Sequence, residues 1–480
     1  MLDCIIRSGR VVDWYNDIDT VTDIAIKDGK IFSVGHCSEP ATREIDASGL
    51  LVLPGIIDSH MHASSWLGGP MSFKMLAQAG VTTALEMAGP VQSVKEYLLN
   101  QGCGLNIGCL EQIRPGFNVA TNDPDLEELK TVIAQSLQSG AFGVKLLGGH
   151  YPLIPQAAQR LLKYCADNGV YFAVHAGSTE NGSNIKGMRE IIELAQGSPF
   201  HLAHINAYCR GSVQKLEDEI REATELLTAH PEIDTESYLS PINGCSGKCV
   251  DNHVESGVTR NCLVSAGYST DFEGMKKAVT DGFAQVHVIE NGVVTLADKQ
   301  KGLAVWLDKK TDVPVSFSVN PELSRFFFAT AKRDNGAYLV DSFCTDGGGI
   351  PRNVIIANGL SLVKFGAMSL KDFVLKSSFA AARLLGLPDK GHFTSGADAD
   401  VVIVDLEAQK PIYSMAAGRM ILDNRCVIGE GATMLTTQEG AAGVKAFGLN
   451  AQVVDIASLF KFRKNRFDLT PRRDMLQTIR

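Results

Sequence analysis

Two histidines one residue apart, His60-Met61-His62, close a run that begins Leu53-Pro54-Gly55-Ile56-Ile57-Asp58-Ser59. In an extended strand, residues two apart point to the same face. Both imidazoles would then leave one strand end side by side, and neutral imidazole is the commonest protein ligand for zinc-class ions. Alone the pair says little, because two surface histidines arise readily by chance. Other candidates end other apolar runs. His175 closes Tyr171-Phe172-Ala173-Val174, His204 closes His201-Leu202-Ala203, and Asp346 sits in Cys344-Thr345-Asp346-Gly347. Lys145 lies inside the apolar run Val144-Lys145-Leu146. It could snorkel to the surface, pair with a carboxylate, or be carboxylated by carbon dioxide into a carbamate that bridges two metals. Each of these side chains stands at a strand end in a separate unit, so all would converge at one barrel mouth. A catalytic zinc site needs few protein ligands and one open position for water. Two neighbouring metals need a bridging anion, which a carbamate on Lys145 could supply.

The order of the elements supports such a convergence. Residues 1–54 read as β structure, with Asp28-Gly29 between two alternating apolar runs as the strongest hairpin signal. From about residue 55, short apolar runs alternate with segments of helical spacing, such as Leu126 to Leu137 and Gln156 to Asp167. Repeated strand–helix alternation predicts βα units on a parallel sheet, here closed as a (β/α)8 TIM-like barrel over residues 55–389. An insertion of about residues 242–335 interrupts it before Asp346. β character returns at 390–435, where Val401-Val402-Ile403-Val404 could pair with the N-terminal hairpin. Both chain ends would then share one small β-sandwich domain. Residues 436–480 are expected as a C-terminal tail, basic from 461 on, and read as a solvated or partner-contacting arm.

Composition narrows the class. The chain has 480 residues, room for one barrel and a smaller companion. A net charge of -9 argues against nucleic acid or an anionic membrane as partner. The 11 cysteines are odd in number and scattered, which favours reduced thiols over a disulfide framework. Cys245 and Cys249 have no second pair at matching spacing, so plain thiols are the simpler reading. The start, Met1-Leu2-Asp3-Cys4, lacks a basic segment followed by an apolar stretch, so no signal peptide is expected. A cytoplasmic location follows as an expectation.

From its N-terminal β segment to about residue 430, the chain resembles the amidohydrolase superfamily. Leu53 to His62 is close to that family's entry motif, and Gly391 to Asp405 resembles its exit motif. The resemblance implies a distorted (β/α)8 barrel with His60 and His62 on a first metal, Lys145 as carboxylated bridge, and His175 and His204 on a second. Asp346 would bind the first metal and act as general base and acid. Zinc is the expected ion, one or two per chain with other divalent metals as the alternative, activating water to hydroxide that attacks an amide bond. His204 is preferred over His201 because it ends the strand, and Glu86 is read as lying behind the ligands. His150 is a candidate substrate contact.

The stretch Ile233 to Pro241, the long insertion and Pro351-Arg352 resemble D-aminoacylases and isoaspartyl dipeptidases. D-aminoacylases commonly carry a cysteine ligand where this chain has Glu86-Met87-Ala88, and the Lys145 bridge is similar to hydantoinases and dihydroorotases. An N-acyl amino acid, D-configured, is therefore the first choice of substrate, and a cyclic amide of hydantoin or dihydropyrimidine type the second. Arg352 and Arg260 could bind a substrate carboxylate bidentately, and Tyr238 could hydrogen-bond the scissile carbonyl. A non-catalytic dihydropyrimidinase-like scaffold is the reading from another class, and the full ligand set counts against it. Lys145 counts against a single-metal deaminase. A homo-oligomer, dimer or tetramer, is expected from the resemblance.

Overall fold

Lys27 and Lys30 pair across Asp28-Gly29, both of which take positive φ (52° and 72°), as a tight two-residue hairpin requires. The hairpin belongs to a mixed sheet built from both chain ends. Leu51–Pro54 lies parallel to Leu2–Asp13 on one side and antiparallel to Val401–Asp405 on the other. Lys410–Ala416 and Arg419–Asp423 extend the sheet beyond that seam. Ile6, Ile24, Ile26, Val52, Val401 and Ile403 bury one core between the two ends. A computed structural model of the chain describes residues 1–63, 65, 67–456 and 459. The basic segment from 461 on lies outside these.

After Pro54 the chain enters a parallel barrel. Ile56–His62, Val81–Glu86, Asn106–Ile113, Gly143–Leu147, Phe172–His175, His201–Leu202 and Asp234–Tyr238 follow one another in sheet order. The closing strand is split. Ser342–Cys344 pairs with Asp234–Tyr238, and Gly347–Gly348 pairs with Ile56–His62. Val81–Glu86 and Asn106–Ile113 are buried along their whole length, as strands covered on both faces must be. The intervening helices keep an apolar stripe. In Pro155–Asp167 the buried Ala157, Ala158, Leu161, Leu162 and Cys165 recur at helical spacing.

One region departs from the sequence reading. The barrel splays between its third and fourth strands. Leu110–Ile113 pairs with Gly143–Leu146, but Asn106–Gly108 pairs instead with Thr433–Leu435. Asn450–Val453 then adds to Thr433–Thr436. Up to residue 453, therefore, the segment expected as a tail is part of the barrel sheet, held by backbone hydrogen bonds that its mixed sequence does not advertise. The insertion, in turn, has a sheet and core of its own. Cys245–Ser246, Pro314–Phe317, Ala284–Glu290 and Val293–Leu296 pair in that order around Trp306, Phe317, Met275 and Leu263. Among the described residues no helix is long and apolar enough to cross a membrane.

The turn after the closing strand leaves no space for a side chain at Gly349, where a Cβ would sit 1.5 Å from the Leu67 carbonyl oxygen. Gly349→Ala should therefore cost about 2–3 kcal/mol in urea unfolding. Gly257→Ala, whose Cβ would meet nothing nearer than 3.6 Å, should change stability by less than about 0.5 kcal/mol.

Candidate metal centre at the barrel mouth

His60 and His62 leave the end of the first barrel strand, and Asp346 reaches them from the split closing strand. The carboxylate is delivered by a backbone kink. Asp346 has φ of 48°, its N–H donates to the His60 carbonyl at 2.8 Å, and the Gly349 N–H donates to the His62 carbonyl at 2.9 Å. Asp58 holds the approach to the kink, accepting from the Thr345 N–H at 2.9 Å and the Thr345 hydroxyl at 2.5 Å. Asp346 Oδ1 then lies 3.0 Å from His62 Nε2 and 3.5 Å from His60 Nε2. One ligand atom from each of the three falls within 4.8 Å of the others.

His175 and His204 stand beside this group. His204 Nε2 is 3.1 Å from His175 Nδ1, and the His60 and His204 rings stack at 4.9 Å. The other nitrogen of His175 meets the Ser183 hydroxyl at 2.7 Å. His204 takes φ of 36°, which turns its ring out of the strand. Gly149 makes room for His175, since a Cβ there would lie 2.4 Å from His175 Nε2. Lys145 is fully buried, its Nζ 3.1 Å from His60 Nε2 and 3.2 Å from Met87 Sδ. Snorkelling is thereby excluded, and among the described residues no carboxylate lies within 4.0 Å of Nζ.

Glu236 ties these parts together, and sequence reasoning assigned it no role. Its Oε1 accepts from His60 Nδ1 at 2.7 Å and from the His204 N–H at 2.8 Å, while Oε2 contacts His201 Nε2. His201 Nδ1 lies 2.6 Å from the Tyr171 hydroxyl, beneath the mouth. A carboxylate inside the strand Asp234–Tyr238 was the available signal. Glu86 accepts from the Ala88 and Ala63 N–H groups and sits 3.9 Å from His62 Nδ1.

The electrostatics suit cation binding. Burial pushes His204 down to about 3 and His150 to about 4, and it holds His60 and His175 well below the usual imidazole range. Neutral rings keep a lone pair for a metal. Burial opposes charge on His62 too, but the Asp346 and Glu86 carboxylates outweigh it and raise its pKa. Burial likewise opposes charge on Asp346, yet Arg352 and its imidazole neighbours hold that carboxyl well below the ordinary range. Burial lowers Lys145 to about 8.

Two further observations test the fit to a metal ion. Nδ1 of His62 and Nδ1 of His204 are buried without a hydrogen-bond partner. Two nitrogens bound tetrahedrally at about 2.0–2.1 Å from zinc stand about 3.3 Å apart, near the 3.1 Å between His175 and His204. The donor set fits a divalent ion.

The sequence-named substrate contacts separate. Arg352 is buried, with Nη1 3.2 Å from Asp346 Oδ2 and its guanidinium 4.5 Å over the Tyr238 ring. The Tyr238 hydroxyl donates to Asn320 Oδ1 at 3.0 Å. The His150 ring packs 5.5 Å from His175. Arg260 is exposed on the insertion and donates to the carbonyls of Val254 and Glu255, so it is not brought to the cluster.

Comparison with known proteins places this geometry. The model of the amidohydrolase family matches residues 254–434. The dihydroorotase of Listeria monocytogenes serotype 4a (strain HCC23) is 26% identical over 267 residues, 48% of this chain and 62% of that enzyme. The match therefore spans less than two thirds of that relative's length. Among solved structures, a D-aminoacylase mutant in complex with copper chloride superposes with a TM-score of 0.65 at 16% identity, covering 91% of this chain and 100% of the other. A D-hydantoinase gives 0.59 at 19% identity, covering 92% and 99%. These likenesses show a shared fold, and the matched family model includes Asp346 of the site: over residues 254–434 the chain is similar to the amidohydrolase family.

Proposed function

We propose that this protein hydrolyses an amide bond in an N-acyl amino acid, with the D configuration preferred. The observation that carries the reading is Asp346 Oδ1 at 3.0 Å from His62 and 3.5 Å from His60, with His204 stacked on His60 and 3.1 Å from His175. His60, His62 and Asp346 would hold one divalent ion, and His175 and His204 a second. Zinc suits imidazole and carboxylate donors. When bound, such ions lower the pKa of water and polarise a carbonyl.

The chain's own residues supply the rest. Asp346, kept ionised beside Arg352, takes a proton from the attacking water and returns it to the leaving nitrogen. Glu236 accepts the Nδ1 proton of His60, leaving Nε2 to face the mouth. Lys145 is buried without a carboxylate partner, and the neutral form of its amine is the form that adds to carbon dioxide. Loss of one proton from nitrogen then gives a carbamate, which would supply an anionic ligand to the metal ions. Arg352 and His150 line the substrate's path. Tyr238 reaches a scissile carbonyl only by turning its hydroxyl from Asn320. A cyclic amide of hydantoin or dihydropyrimidine type is the second reading, favoured by the fold shared with D-hydantoinase and by Lys145.

Amine release from matched N-acetyl-D- and N-acetyl-L-amino acids, with the protein loaded with zinc and bicarbonate, tests the reading. Release from one enantiomer supports it, and release from neither, with turnover of hydantoins, moves it to cyclic amides. Asp346→Asn should lower kcat by about 10²–10⁴-fold while metal content stays measurable by mass spectrometry. Lys145→Ala should lose one metal and regain part of its activity with a short carboxylic acid. Glu236→Gln should weaken zinc binding about 10–100-fold in chelator competition, because it removes the group that fixes His60.

A further inference from the structure

Three arginines differ in what their charge already serves. Arg260 is spent on two backbone carbonyls at the surface of the insertion, and Arg352, although its three guanidinium nitrogens are also buried without a hydrogen-bond partner, has its charge paired with Asp346. Arg210 follows the short turn Ile205–Tyr208 that begins at His204. Its Nη2 donates to the Tyr238 hydroxyl at 3.2 Å and to Asn320 Oδ1 at 2.9 Å. Its Nε is buried without a hydrogen-bond partner. Among the described residues no carboxylate lies within 4.0 Å of this guanidinium. Asp346, Tyr238 and the Cys262 thiol are the negative or ionisable groups facing it. Asp346 is already engaged by Arg352 and His62, and burial raises the Tyr238 phenol and so keeps it neutral.

A guanidinium remains charged at any pH a protein tolerates. Holding that charge half-buried, with Nε buried and unpartnered and no counterion, is costly unless an anion arrives. Arg210 lies next to the metal centre. It touches the hydroxyl of Tyr238, whose ring centroid is 6.3 Å from that of His204 and whose face carries Arg352. We infer that Arg210 is the specificity residue that anchors a carboxylate on the substrate, across Tyr238 from the metal-binding histidines. This rests on the N-acyl amino acid reading and names the residue that holds the carboxylate of that substrate. A purely structural Arg210, tying Asn320 of the insertion to the barrel, would make a different prediction. Its loss would weaken every ligand alike.

The test uses metal-loaded full-length protein carrying Asp346→Asn to block turnover. Calorimetry measures binding of N-acetyl-D-leucine and N-acetyl-L-leucine against their uncharged carboxamides. With Arg210 present, one carboxylate enantiomer should bind at least about tenfold tighter than its carboxamide, a modest share of what a charge-assisted bond can give. In Arg210→Gln that preference should fall to within about twofold, and Arg210→Lys should recover part of it. A preference that persists in Arg210→Gln, or a parallel loss for both ligands, overturns the inference. So does failure of all four ligands to bind while the parent protein hydrolyses hydantoins, which leaves amide hydrolysis standing. An Arg210-dependent preference in a protein that releases amine from no amide keeps the carboxylate anchor and overturns the proposed reaction.

Discussion

A carboxylate with no solvent access fixes the geometry on which the site depends. Glu236 is fully buried in the strand Asp234–Tyr238, where an unpaired charge would be prohibitive. It is tolerated because donors surround it: His60 Nδ1, the His204 backbone N–H and His201. Each bond also performs a second task. The bond to His60 sets its tautomer, so Nε2 faces the mouth with its lone pair. The bond to the His204 N–H pins a residue whose φ of 36° would otherwise relax. One outer carboxylate that orients the His60 imidazole and fixes the backbone of His204 is an economical solution, since metal-binding histidines commonly need such a partner on the far nitrogen.

Backbone irregularity, rather than side-chain reach, brings the remaining groups together. Asp346 and His204 both occupy the left-handed region, which non-glycine residues rarely enter and which clusters at functional sites. At Asp346 the kink falls where the closing strand changes partner, so Thr345 and Asp346 leave the ladder and the Asp346 carboxylate swings over the first strand. Gly348 then follows so closely that a Cβ would lie 2.3 Å from the His62 carbonyl. The turn and the ligand pair therefore cannot be adjusted independently. Moving Asp346 would move the backbone that carries His62.

Much of this was legible in the sequence, and the reasons are specific. The barrel announces itself because its strands are buried on both faces and read as unbroken apolar runs, while each helix keeps a polar face. His60, His62, His175, His204 and Asp346 could be picked out because a polar residue at the end of such a run is conspicuous. Lys145 was equally visible, although its three readings needed burial to separate them. Glu236 was hidden, because its neighbours Asp234, Thr235 and Ser237 are polar too and it does not break a pattern. Arg210 was hidden for a different reason. It lies in no regular element, and only the fold sets it against Tyr238. The strand pair at Thr433–Thr436 and Asn450–Val453 escaped because its partner on the barrel, Asn106–Gly108, is far away in sequence.

The insertion completes the electrostatics of the mouth. Asn320 Nδ2 donates to the Ser240 and Ile242 carbonyls, and Arg325 Nη1 donates to the Leu239 carbonyl, so the segment after Tyr238 is bound to the insertion by its own backbone. From the helix Met71–Gln78 that follows the first strand, Lys74 donates to the Asn291 carbonyl and Met75 Sδ meets the Val294 N–H. A segment anchored on both flanks excludes water more effectively than a free loop, and the lower the local dielectric, the stronger each charge interaction becomes. The pairing of Arg352 with Asp346 gains from that, and so does the penalty on an unpaired Arg210. If Arg210 anchors an anion as inferred, the same bonds that hold the insertion in place would raise the free-energy difference between a site that contains an anion and one that does not, and the insertion would then be part of substrate discrimination rather than a cover laid over the site.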